Sequence, residues 1–143
     1  MEHKCKFVSA EDAWAYIIAG RAQVTIKSLQ SGKHYTYKVT KKAYGDKQFL
    51  FVSVLCAVGI ESKNYVFIGR LDLEKGFVRT PKSRLTVTDR KVIAFKWVIG
   101  KLMDGIIPAL LEIWHHGYCG RCGKALTVPK SIQLGLGPHC RKM

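Results

Sequence analysis

The residues best placed to do chemistry crowd the carboxyl end of the chain. Cys119-Gly120-Arg121-Cys122-Gly123 sets two thiols two residues apart, so that both can reach one tetrahedral ion. Its glycines permit the tight turn that brings backbone N–H groups toward sulfur. Cys140 follows 18 residues after Cys122, an ordinary separation between the two halves of a zinc site. For the fourth ligand, His116 is preferred, because it precedes Cys119 by the same two-residue gap; His115 and His139 are the alternatives. Three sulfurs and one nitrogen close the coordination of a zinc ion. The ion expected on His116, Cys119, Cys122 and Cys140 is therefore structural and not hydrolytic. A thioredoxin-like use of the C-x-x-C is disfavoured, because a third cysteine lies downstream and no parallel-sheet unit surrounds the motif. Cys5 and Cys56 have no spaced partner and read as small, half-buried residues.

These ligands need elements to hold them. Gly117, Gly120, Gly123, Gly135 and Gly137 make the tail too loop-rich for a core of its own, so a metal must supply its stability. Pro129 and Pro138 suit the first turn of a short helix, which predicts helical turns over 130–135 and 139–143 and puts Cys140 near a helix start, whose positive end favours a thiolate. Upstream, Ser9 and Asp12 form a helix start, and Trp14, Ile17 and Ile18 give that helix an apolar face ending near Gly20. The period then changes to two. Val24 and Ile26, then Tyr35, Tyr37 and Val39, flank a Ser31-Gly32 turn as a hairpin. Residues 49–56 are apolar on both faces and predict a central buried strand; 65–71 add another, and 77–80 a short edge piece. Asp89 caps a second long helix carrying Val92, Phe95, Ile99, Leu102 and Met103, and a further helical stretch is expected over 109–114. The sum is an α+β chain: an antiparallel sheet of about four strands with flanking helices over 1–112, then a small zinc-knuckle module over 113–143.

Charge restricts function further. In 143 residues, 24 Lys and Arg stand against 10 Asp and Glu, giving +14, an excess that must lie at the surface and that suits a polyanionic partner. Lys33, Lys38, Lys41 and Lys42 cluster around the hairpin, and Arg121, Lys124, Lys130, Arg141 and Lys142 in a tail without acids; these nine are the expected phosphate contacts. Eight Lys and Arg over 75–101 form a third cluster. Tyr35 and Tyr37 interleave with the hairpin cations in a composition that suits stacking on bases, although their shared face is as well spent on the core. No P-loop, G-x-S-x-G or H-E-x-x-H is present, and the H-x-E of a zinc deaminase is missing, so no enzyme is expected. No run reaches the roughly 18 apolar residues of a membrane span, and the amino terminus lacks a secretory apolar segment; a cytoplasmic protein is expected.

The tail, His116-x-x-Cys119-Gly120-Arg121-Cys122-Gly123-x-x-Leu126-Thr127-x-Pro129-x-Ser131-Ile132-x-x-Gly135-x-Gly137-Pro138-x-Cys140, resembles the terminal zinc module of a family of uncharacterised bacteriophage and mobile-element proteins. The first helix, the hairpin and Phe51-Val52-Ser53-Val54-Leu55 resemble the amino-terminal part of such proteins. The resemblance implies zinc on His116, Cys119, Cys122 and Cys140, a phage or prophage origin and hence the host bacterial cytoplasm, but lends no reaction. The expected role is nucleic-acid binding, to DNA or RNA, through phosphates. The alternative is an interaction protein that engages a host protein or nucleoprotein complex and blunts antiviral defence.

Overall fold

A computed structural model describes residues 5–56, 64–127 and 129–141. The chain runs α1 (Ala10–Ile17), β1 (Arg21–Ser28), β2 (His34–Tyr44), β3 (Lys47–Leu55), β4 (Tyr65–Asp72), β5 (Gly76–Val78), α2 (Arg90–Met103), β6 (Leu111–His115), α3 (Pro129–Leu134) and α4 (Pro138–Arg141). The fold is α+β. Its antiparallel sheet holds six strands in the order β5-β4-β3-β2-β1-β6, which corrects the expected four. β5 is the short edge piece. β6 stands where a helical stretch was expected: Leu111, Ile113 and His115 alternate with Glu112 and Trp114, and pairing of this run against β1, from Val24–His115 to Ser28–Leu111, decides a pattern too short to separate the two periods. The boundary expected between 112 and 113 falls inside β6.

Local signals explain the other elements. The Ser9 hydroxyl accepts the Asp12 N–H at 3.3 Å and starts α1; Gly20, at φ 128°, turns the chain into β1. The inward face of α1 is Ala10, Ala13, Tyr16 and Ile17, with Trp14 and Ile18 only partly covered, so the face is rotated toward Tyr16 relative to the expectation. Asp89 caps α2 by accepting the Lys91 N–H at 2.9 Å, and Val92, Phe95, Val98, Ile99 and Leu102 are buried, whereas Met103 is exposed.

Strand register assigns the two faces of the sheet. Ala22, Val24 and Ile26 lie opposite Val39, Tyr37 and Tyr35, and these continue across β3 as Val52 and Val54. This side packs on the helices and makes the core. Tyr37 is fully buried, its ring 4.7 Å from that of Phe95 and its hydroxyl donating to the Lys91 carbonyl at 2.6 Å; Tyr35 packs against the same core. Tyr37 is therefore a core residue, and Tyr35 packs partly buried against that core. On the other side β3 presents Phe49, Phe51 and Ser53, all only half-buried, so the strand is not covered on both faces as its composition suggests. There the Gln23 amide of β1 donates to the Tyr65 hydroxyl of β4 at 2.9 Å, reaching over β2 and β3, which makes this the concave face of a curled sheet. Among the described residues no helix is long and apolar enough to cross a membrane.

Candidate metal centre

The knuckle is shaped by backbone hydrogen bonds. Gly123 N–H donates to Cys119 O at 2.9 Å, Cys119 N–H to Lys124 O at 2.8 Å, and Leu126 N–H to Gly117 O at 2.9 Å, with Gly117 and Gly123 both at positive φ. The turn aims N–H groups at sulfur: those of Arg121 and Gly137 each lie 3.4 Å from Cys119 Sγ. α4 then brings in Cys140. The sulfurs of Cys119, Cys122 and Cys140 all lie within 4.8 Å of one another. Tetrahedral bonds of roughly 2.3 Å to zinc would set them about 3.8 Å apart, a contraction of an ångström at most.

Thiol acidity follows this geometry. Burial pushes the Cys119 thiol up, but N–H donors from Cys122, Gly137 and Arg121 outweigh it and leave Cys119 the more acidic sulfur. Burial and then the neighbouring Cys119 and Cys122 push Cys140 up, so without a cation it ionises after Cys119. A divalent ion removes this conflict by holding three thiolates together. A second sign of a polar guest is Ser131. Its Oγ is buried without a hydrogen-bond partner among the described atoms, and it lines the 360 Å³ cleft that also holds the three cysteines. The three cysteines can hold a metal ion. Neither Cys5 nor Cys56 joins the group.

The histidines sort differently from the spacing argument. His116 does not join the trio: its Nε2 pairs with Thr25 Oγ1 at 2.8 Å, and Thr25 in turn pairs with Thr36 at 2.7 Å. Burial, then the adjacent His115, holds the His116 ring below the usual imidazole range, so it is neutral. His115 is committed elsewhere. It is fully buried, accepts the Gly117 N–H on Nδ1 at 3.0 Å and donates from Nε2 to the Ile132 carbonyl. The side chain of His139 lies outside the described residues.

A seam fixes the module to the sheet. Phe7, Tyr16 and His115 form an aromatic triad with ring centroids 5.3 to 5.6 Å apart. The Tyr16 ring lies directly against Gly120 and Gly135: a Cβ on either would come within 2.6 or 2.5 Å of it. Gly120 N–H donates to Gly135 O at 2.8 Å, Arg21 N–H to Gly120 O at 2.6 Å, and the Arg21 guanidinium reaches Cys122 O at 3.3 Å. Sequence reasoning missed Tyr16 and His115 as seam residues. Their signal was the matching of a large ring to glycines distant in the chain, which no local period records.

Of the expected phosphate contacts, Lys33, Lys41, Lys42, Arg121, Lys124 and Lys130 are exposed and Lys38 is half-buried. Lys142 and the side chain of Arg141 lie outside the described residues. Lys38 and Lys42 face the concave side of the sheet, opposite Ser53 and Phe49, whereas Lys41, opposite Leu50, points to the other. No curated protein and no solved structure matches the chain. Residues 113–143, the segment that carries the end of β6, the knuckle and Cys140, match a family of unknown function (DUF6011).

Proposed function

We propose that this protein binds nucleic acid mainly through phosphate contacts and is stapled by one structural zinc ion on Cys119, Cys122 and Cys140. The observation that carries the reading is unclaimed positive charge. The ion pairs among the described residues are Lys6–Glu112 and Lys91–Asp89, and neither draws on the hairpin or module cations. Three thiolates and a divalent ion leave the site at −1, so Arg121, Lys124 and Lys130 keep the module positive. The chain performs no catalysis in this reading. The phage-like tail supports a role in the host bacterial cytoplasm.

For the metal, elemental analysis of the purified full chain is expected to give near one zinc. The fourth donor follows from zinc content after His116→Ala, which must release the ring from Thr25 to ligate, against His139→Ala and Ser131→Ala. For binding, about five phosphate contacts on a duplex give a slope of log K against log salt on the order of −4 to −5. Paired charge reversal at Lys41/Lys42 and at Arg121/Lys124 should each flatten that slope without changing sequence preference. Absence of binding to DNA and RNA at low salt would reject the reading.

One feature favours the interaction-protein alternative. Ile93, Trp97 and Val87 are about half exposed along a 650 Å³ cleft on α2, flanked by Lys96 and Lys101. That reading predicts a salt-resistant, stoichiometric complex with one protein that survives nuclease treatment.

A further inference from the structure

The concave face of the sheet gathers rings that the helices do not cover. Phe49 and Phe51 of β3, Phe67 of β4 and the 60% exposed Tyr44 of β2 are neighbours, with centroid separations of 5.8 to 6.2 Å. Between β2 and β4, Tyr44, Phe51 and Phe67 border a cleft of about 500 Å³, whose polar walls are Thr40, Ser53, Lys42 and Lys82, with no carboxylate among its described lining residues. Cations stand directly on the ring surface: Arg70 lies 5.1 Å from the Phe49 centroid and Lys38 4.3 Å from that of Tyr65. An apolar patch rimmed by polar groups marks an interaction site. Its charge complements an anion and its rings complement flat, π-faced groups.

From this juxtaposition we infer that the concave face binds single-stranded nucleic acid, with bases stacked on Phe51, Phe67 and Tyr44 and the backbone held by Lys38, Lys42, Arg70 and Lys82. This rests on the phosphate-binding reading above and specifies its site and strand state. A paired duplex keeps its bases stacked on each other, so these rings can reach bases only in an unpaired strand. The groove supplies both parts that unpaired strands need: ring faces that accept any base, and cations spaced along the strand.

The test uses the full zinc-loaded chain and labelled oligonucleotides of equal length: oligo(dT), oligo(U) and a mixed-sequence duplex, titrated by anisotropy at several salt concentrations. The single strands should bind more tightly than the duplex. Phe51→Leu and Phe67→Leu keep apolar bulk but remove the ring, and each should weaken single-strand binding on the order of ten-fold while leaving duplex affinity unchanged. Thermal melting and zinc content confirm that the variants are folded. Independently of mutation, photo-crosslinking of wild type to 5-iodouracil-substituted oligonucleotide should label Tyr44, Phe51 or Phe67. Salt-dependent binding with equal affinity for duplex and single strands, unaltered in both variants, would overturn this inference and leave phosphate binding standing. Crosslinks confined to 117–141 would overturn it in the same way. Binding to none of the three probes would overturn both.

Discussion

The sheet and the cysteine module solve the same problem with different chemistry. The sheet buries Val24, Val39, Val52, Val54, Phe95 and Ile99 together, and its stability comes from removing such side chains from water, worth about 1.5 to 3 kcal/mol each before entropy is counted. The module buries Cys119, Ser131 and Ile132 but few large apolar side chains among its described residues. It is closed by backbone hydrogen bonds, three converging sulfurs, and glycines that let its backbone lie against Tyr16. Burial tolerates local change because many contacts share the load. A cross-link and a close backbone approach do not.

The largest expected effect is therefore on metal removal. Cys119→Ser or Cys140→Ser, or a strong chelator acting on the wild type, should abolish zinc binding and make residues 117–141 protease-sensitive, while a cooperative melt of the sheet survives. Mass-spectrometric mapping of limited proteolysis checks both halves. Loss of the sheet transition together with the metal would mean that the two regions are one cooperative unit joined through β6.

Next in size is Gly135→Ala. The new methyl would lie 2.5 Å from Tyr16 Cδ1 and 3.2 Å from Phe7, at φ 71°, so overpacking and left-handed strain together should cost about 2 to 4 kcal/mol. Gly120→Ala meets the same ring at 2.6 Å without the positive φ and should cost less. Gly137→Ala, with nothing within 4 Å, should stay within about 0.5 kcal/mol of wild type. Chemical denaturation of the zinc-loaded variants ranks the three. An equal response at all positions would remove the seam from the account.

This ordering also explains what the sequence revealed. Both hairpin strands, the caps at Ser9 and Asp89 and the two proline-started turns were legible, because each is a local signal of spacing, side-chain acceptor or fixed φ. The convergence of Cys119, Cys122 and Cys140 was legible for the same reason. β6 was not: five residues fit two periods, and its partner β1 lies over 80 residues away. Nor was the open face of β3, since composition reports that a residue is apolar and not whether a helix arrives to cover it. That Thr25 stands opposite His116 is likewise a tertiary fact that a two-residue gap does not record.

His115→Ala is a smaller test of the seam. It removes the acceptor for Gly117 N–H and the donor to the Ile132 carbonyl, leaving two backbone groups to find other partners, and should cost about 1 to 3 kcal/mol. Zinc should remain bound, because both ring nitrogens are already engaged away from the sulfurs. Hydrogen exchange at Gly117 and around Ile132 should rise before exchange in β2 and β3. Faster exchange across the whole sheet would place His115 in the sheet's stability rather than at the junction.

The smallest effect separates the two regions by pH. Burial pushes the Tyr37 hydroxyl far above the usual phenol range, with Tyr35 and Asp89 adding to it, so the folded protein keeps its proton where the unfolded chain releases it. Stability from this group is complete below about pH 10 and falls as pH rises beyond it, by at most about 1.4 kcal/mol per pH unit. Tyr37→Phe should lose the bond to the Lys91 carbonyl, about 1 kcal/mol at neutral pH, and should flatten the alkaline slope by about one proton. Tyr16 is also pushed up by burial, but its hydroxyl both donates to and accepts from the Gln23 backbone, at 2.9 Å each, so Tyr16→Phe should cost more at neutral pH for the same flattening. Urea melts from pH 8 to 11 measure both. If Tyr16→Phe flattens the slope of module opening but not of global unfolding, the seam opens before the sheet; if it flattens both alike, Tyr16 belongs to the same core as Tyr37.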